Sequence, residues 1–154
     1  MIIKSPDNTI LDSDQTTIFL AGSIENGSAI DWQADLETWI ETNKQWIIWN
    51  PRRQDWDQNI RQVIDEPRFY EQVTWELKRI IQYSKIITFY FDPNTTSPIT
   101  LLELGICLGM HKQVLVCCPE GYYRKGNVDI ICDMFGITVL NSLDALKSEL
   151  SKIE

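Results

Sequence analysis

The chain has 154 residues, 44% of them hydrophobic and 23% charged, with a formal charge of −8. That length and balance fit a single globular domain, residues 1–154, with a sizeable core and little room for a second. The negative charge excludes a generic nucleic-acid binder, whose affinity rests on a basic surface, and no apolar run approaches the length of a membrane span. Cys107, Cys117, Cys118 and Cys132 show neither zinc-type nor CxxC spacing, and the start "MIIKSPDNTI" lacks a signal-peptide pattern. Reduced thiols, a cytoplasmic location and no metal or cofactor are therefore expected.

After a polar leader that reads as a small hairpin or tail, "TTIFLAG" (16–22) is a short β-type run closed by Gly22. Ser28 is placed to cap the helix "AIDWQADLETWIETN", which carries Ile30, Leu36, Trp39 and Ile40 at helical spacing. "KQWIIWN" (44–50) reads as a buried strand ended by Asn50-Pro51. A polar loop containing Trp56 leads to Pro67, which suits the first position of the helix "RFYEQVTWELKRIIQYS"; Phe69, Val73, Leu77, Ile80 and Ile81 form its predicted core stripe. "KIITFYF" (85–91) is the third strand. The loop "DPNTTSP" ends in Ser97 as N-cap with Pro98 at the first helical position of "SPITLLELGICLGM". "KQVLVCC" (112–118), a short helix ending near Gly136, "ITVLNS" and a terminal helix "LDALKSELSKI" complete the chain.

Strands alternating with helices predict an α/β fold: a single doubly wound, five-stranded parallel sheet of the flavodoxin or Rossmann kind, with helices on both faces. In such sheets ligands sit beyond the C-terminal strand ends. Four polar loops leave that edge, around "AGSIENG", "NPRR", "DPNTTSP" and "CPEGYYRKGNVD". Within the apolar helix that follows the third loop, Glu103 is the only acidic or basic residue between Pro98 and Met110. A carboxylate in such a place needs a partner, a cleft or a chemical task.

Glu76, on the preceding helix, lies at the margin of its stripe with Gln72 one turn earlier, so two carboxylates can meet over one substrate. Such pairs perform glycosyl transfer. Alone, Glu76 fits equally well as a surface partner of Lys78 or Arg79. Arg52 and Arg53 can clamp a phosphate or base carbonyl, or pair with Asp55 or Asp57. Gly22 and Gly27 flank Ser23 and Asn26, so backbone N–H groups at a helix start can cradle an anion or a sugar hydroxyl, an ordinary strand-to-helix turn being the commoner use of such a pattern. Five of the six Trp fall between residues 32 and 56, among them Trp32, Trp49 and Trp56; buried core or a subunit interface is the commoner use of such rings, and an aromatic-lined pocket is the alternative. The only histidine, His111, is read as structural at a helix end.

Taken in order, "FLAGSIENG", "DWQ", "NPRR", "EQVTWEL", "SPITLLELG" and "CPEGYYRKGNVD" resemble the nucleoside 2-deoxyribosyltransferase-like family over roughly residues 17 to 140. The resemblance implies cleavage of the bond between a base and 2-deoxyribose, with Glu103 of "ELG" as nucleophile and Glu76 of "WEL" binding or protonating. It also implies a substrate site formed by Ala21, Gly22, Ser23, Ile24, Asp31, Trp32, Asn50, Arg52, Arg53, Gln72 and Pro98. Asn127 of "GNVD" would then come from a neighbouring subunit, making the protein a homodimer or larger. The implied partners are a small nucleoside or nucleotide and a free base, with no nucleic acid and no membrane. Typical members carry an Asp shortly before the catalytic glutamate, where this chain has "NTTSP" and only Asp92 farther back. A binding module for a nucleotide-derived metabolite is the alternative.

Overall fold

A computed structural model of the chain describes residues 1–9, 14–25 and 29–154. Asn26, Gly27 and Ser28, named above for the first loop, lie outside the described residues. Six strands form one parallel sheet: β1 (Ile2–Lys4), β2 (Thr17–Gly22), β3 (Ile47–Asn50), β4 (Ile86–Tyr90), β5 (Gln113–Cys117) and β6 (Val139–Leu140). Their order is β1-β3-β2-β4-β5-β6. The sixth strand is a correction to the expected five. The leader is neither hairpin nor tail, because Ile2, Ile3 and Lys4 pair in register with Ile48, Trp49 and Asn50 and cover the edge of β3.

Alternate residues of each strand serve opposite faces, as the pleat requires. Phe19 and Ala21 of β2 join one core with Ile87 and Phe89 of β4; there they meet Trp75 and Ile80, then Leu104, Cys107, Val128 and Cys132. Those partners belong to α2 (Pro67–Lys78) and its π-helical continuation (Arg79–Tyr83), α3 (Pro98–Gly109) and α4 (Lys125–Met134). Ile18 and Leu20 face the other core with Trp32, Leu36 and Ile40 of α1 (Trp32–Asn43) and Leu146 and Leu150 of α5 (Leu143–Ser151). Helices thus cover both faces, and the strand order reverses where β2 stands between β3 and β4.

Two helix readings change. On α2 the expected stripe is only half-buried: Phe69, Val73 and Leu77 are partly exposed, and the side turned fully inward carries Gln72, Trp75 and Arg79. Arg79 is 2% exposed, with its guanidinium carbon 4.5 Å from the ring centre of Trp49, 5.2 Å from that of Trp75 and 5.0 Å from that of Tyr83. Stacked aromatic faces take the place of water around this cation and fix α2 on the sheet. On α3 the apolar surface is not packed all round, because Ile99 and Leu102 are 58% and 60% exposed.

Gly22 ends β2 where no side chain fits. A Cβ there would lie 2.5 Å from the Tyr90 carbonyl oxygen and 2.7 Å from Cζ2 of Trp32. Gly22→Ala is expected to cost about 2–4 kcal/mol by forcing β2 from β4, measurable as a lower urea midpoint with an unchanged slope.

Candidate active site

The loops after β2 and β4 are bound into one floor at the C-terminal edge of the sheet. The Ser23 N–H donates to the Tyr90 carbonyl at 2.9 Å, and the Asp92 N–H donates back to the Ser23 hydroxyl at 2.8 Å. The Ser23 hydroxyl also lies 2.5 Å from that of Ser97 and 2.9 Å from that of Thr95. Asp92 is buried, and its carboxylate accepts from the Asn94 backbone, the Asn94 amide and the Ile30 backbone. It therefore organises the turn.

Pro98 does occupy the first position of α3, but Ser97 does not cap it: its backbone is left-handed (φ 41°) and its side chain is held by Ser23 and Thr95. The cap comes from Glu25, seventy residues upstream in round terms. One carboxylate oxygen of Glu25 accepts from the Thr96 N–H (2.5 Å), the Ser97 N–H (2.6 Å) and the Thr96 hydroxyl (2.9 Å). Burial raises the Glu25 pKa, but these donors outweigh it and the net shift is downward. α1 is capped by Asp31, whose carboxylate accepts from the Ala34 N–H.

Glu103 lies one and a half turns into α3 and is 7% exposed. No hydrogen bond reaches its carboxyl group from the described residues. Glu76 comes from α2 on the same side of the sheet and is only partly buried. Gln72 holds it: the amide Nε2 donates to Glu76 Oε1 at 2.9 Å and to the Pro51 carbonyl at 2.9 Å, while its Oε1 accepts from the Ser5 hydroxyl at 2.6 Å. Pro51 can only accept, so the amide points one way. Burial pushes Glu76 up to about 7, against the Gln72 hydrogen bond. Burial first, and the neighbouring Glu76 charge second, push Glu103 well above the usual carboxylate range. Burial therefore disfavours ionisation of both carboxyl groups, and the charge of one opposes that of the other.

The structure separates the remaining candidates. Ser23, Glu25 and the loop before Pro98 are tied together at the strand ends, and Gln72 holds Glu76, whose charge acts on Glu103. Ala21, Trp32 and Trp49 are 1%, 1% and 2% exposed and belong to the core, so Trp32 and Trp49 offer no ring face to a base; Trp32 instead donates to the Ser23 carbonyl from below. Trp56 remains partly exposed, beneath the Arg53 guanidinium. Asn50 is buried, donating to Glu37 and accepting from the Arg52 N–H. Arg52 grips Ala29 O, Ile30 O and Gln33 Oε1, with Asp31 3.7 Å away. Arg53 pairs with Asp55 and Glu71. Asn127 is exposed near the start of α4, beside an apolar groove lined by Leu104 and Gly105. The four cysteines are buried free thiols with pKa values raised to about 11 or 12, so none is poised as a nucleophile.

Two contributors escape sequence reasoning. Ser5 sits on a leader with no motif, and Glu25 reads as a loop charge because its donors lie far along the chain.

The family described as nucleoside 2-deoxyribosyltransferase like matches residues 15–122, from the start of β2 past β5, and includes Glu25, Glu76 and Glu103. The chain belongs to that family. Comparison with curated proteins finds no match. Membership brings nucleoside-related glycosyl transfer as the general chemistry, and the match leaves both Ser5 and Asn127 outside its bounds.

Proposed function

We propose that this family member cleaves the N-glycosidic bond of a 2-deoxynucleoside and passes the sugar to a second base or to water. The observation that supports it most is the carboxyl group of Glu103, buried, without a donor among the described residues, and facing the charge of Glu76 on the same side of the parallel sheet. An oxygen of ionised Glu103 attacks the anomeric carbon. The carbon–nitrogen bond breaks with its electron pair leaving on the base, and Glu76 delivers the proton that neutralises it. The product is a glycosyl ester on Glu103. An incoming base, or water deprotonated by Glu76, attacks the same carbon, frees Glu103 and restores the proton to the pair. The Gln72 hydrogen bond favours the charge on Glu76, so the productive form requires the proton to pass from Glu103 to Glu76 as substrate binds.

No dedicated Asp is needed in this scheme, because Asp92 is occupied and Glu76 stands in its place. A base-exchange assay with a panel of deoxynucleosides and free bases tests the proposal: release and exchange of base support it, whereas binding with intact substrate after long incubation sinks it in favour of a sensing module.

The site is completed by a second copy of the chain in this reading. Ile99, Leu102, Ile130 and Met134 are exposed, and Gly105, Gly109 and Gly126 leave room for close approach of another helix. Asn127 stands on this face and would reach the partner's cleft. Leu102→Asp is expected to shift the protein from dimer or larger to monomer in sedimentation, with base release falling at least tenfold while the monomer stays folded.

A further inference from the structure

Ser5 stands behind the acid of the reaction proposed above, in a leader that precedes the family match, which begins at residue 15. The leader is held from two sides. β1 pairs with β3, and the Ser5 N–H donates to the Asn50 carbonyl at 3.2 Å. The Asp7 N–H closes a turn onto the Lys4 carbonyl at 2.9 Å, while the Asp7 carbonyl accepts from Trp75 Nε1 at 2.7 Å and from the Arg79 guanidinium at 3.3 Å. Ser5 is thereby set between the end of β3 and α2, buried, with its hydroxyl donating to Gln72 Oε1 at 2.6 Å.

Gln72 is also buried, and both ends of its amide are engaged. Nε2 has one hydrogen for the Pro51 carbonyl and one for Glu76 Oε1, each at 2.9 Å, and Oε1 takes the Ser5 hydroxyl. A carboxyl oxygen that already accepts a hydrogen bond is a poor place for the proton, so a protonated Glu76 carries it on Oε2. Without the Ser5 hydroxyl the buried Gln72 carbonyl loses its donor, and an amide that turns to find another gives up its bond to Glu76. The surrounding charges do not take over that bond. Glu103 on α3 repels the Glu76 charge, Lys4 pairs with Glu37 at 3.2 Å, Arg53 pairs with Asp55 and Glu71, and Arg79 is stacked among rings and reaches Asp7. Among the described residues, Gln72 alone donates to Glu76.

We propose that Ser5 is a positioning residue for the acid: acting through Gln72, it holds Glu76 so that Oε2 carries the proton to the leaving base. The role rests on the proposed reaction, and Ser5 itself touches neither sugar nor base. Its loss removes a donor from the charged form of Glu76 and frees the acid to turn, so the titration of Glu76 and the delivery of its proton change together.

The test uses the full chain with Ser5→Ala, Ser5→Cys, Ser5→Thr, Gln72→Leu and the Ser5→Ala/Gln72→Leu pair, each checked for folding by a thermal melt. Base release from thymidine and from an aryl deoxyriboside gives kcat and KM, and the carboxyl carbon-13 titration of Glu76, assigned against Glu76→Gln, gives its proton affinity. Ser5→Ala is expected to lower kcat for thymidine about tenfold with KM little changed, and to lower it less than about threefold for the aryl substrate, whose leaving group needs no proton. Its Glu76 titration moves above the wild-type position of about 7, and the acid limb of the rate profile moves up with it. Ser5→Cys, of similar size but a weak donor, behaves as Ser5→Ala, whereas Ser5→Thr keeps the hydroxyl and returns rate and titration toward wild type. In the Gln72→Leu background Ser5→Ala adds nothing to either measurement. An unmoved titration in folded Ser5→Ala or Ser5→Cys overturns the inference, as do equal losses for the two substrates or losses that add in the double variant. A titration that follows Ser5, without base release by any folded variant, retains the relay and removes the proposed reaction. Base release that ignores Ser5, with the titration unmoved, does the opposite.

Discussion

Glu103→Ala and Glu103→Gln are each expected to reduce base release by roughly a thousandfold or more, because no other described group stands ready to attack the sugar. The two substitutions differ in what else they change. Alanine leaves a space beside Glu76 that water can enter, and water can then take the role of nucleophile with inverted geometry at the anomeric carbon. Glutamine keeps the volume, removes the charge and blocks that route. A residual activity larger in Glu103→Ala than in Glu103→Gln, with the covalent adduct absent from intact-mass spectra of both, supports direct attack by Glu103. Unchanged base release in either variant ends the assignment. The same substitutions carry an independent physical signature. A carboxyl group whose ionisation is disfavoured by burial weakens the fold once it is charged, so a neutral amide should raise the melting temperature at pH 8.

The distribution of what could and could not be read from sequence follows from the range of the interactions. Short continuous apolar runs over 16–22, 44–50, 85–91 and 112–118 mark strands because a parallel sheet covered by helices buries both faces of its inner strands. The edge strand β1 carries three residues of pattern and is stabilised by register with β3, some forty-five residues away, which no local period reveals. Glu103 stands out because a single charge interrupts an apolar helix. Its partner is harder to see: the orientation of α2 is set by Arg79 stacked among Trp49, Trp75 and Tyr83, and that rotation brings Gln72 inward and Glu76 beside Glu103. Of the clustered Trp residues, Trp32 and Trp49 take the commoner role, in the core. Large rings at strand and helix starts fill core as readily as they line a site, and only their burial distinguishes the two.

The pH response of the Glu76–Glu103 pair is the second large effect, and its sign differs between stability and rate. For stability, the folded protein holds protons on these carboxyls up to about pH 7 or beyond, while the unfolded chain loses them near 4.5. Between those values the folded state binds more protons, so stability is highest below about 4.5 and is lost as pH rises through 7. For Glu76, the shift to about 7 corresponds, after allowance for partial exposure, to on the order of 2 kcal/mol, or roughly 5 °C in melting temperature. Glu76→Gln should flatten that decline. For rate, the pair must carry one proton: fully protonated it has no nucleophile, and fully ionised it has no acid. The kcat/KM profile should therefore rise through about pH 7 and fall again at higher pH as the second proton leaves. In Glu76→Gln the alkaline limb disappears, and the acid limb, now set by Glu103 alone and held up by its burial, stays at or above the wild-type position. The loss of rate should be about a hundredfold for ordinary nucleosides and much smaller for an aryl deoxyriboside whose leaving group departs without a proton. An equal loss for both substrates would show that Glu76 acts through structure rather than through its proton.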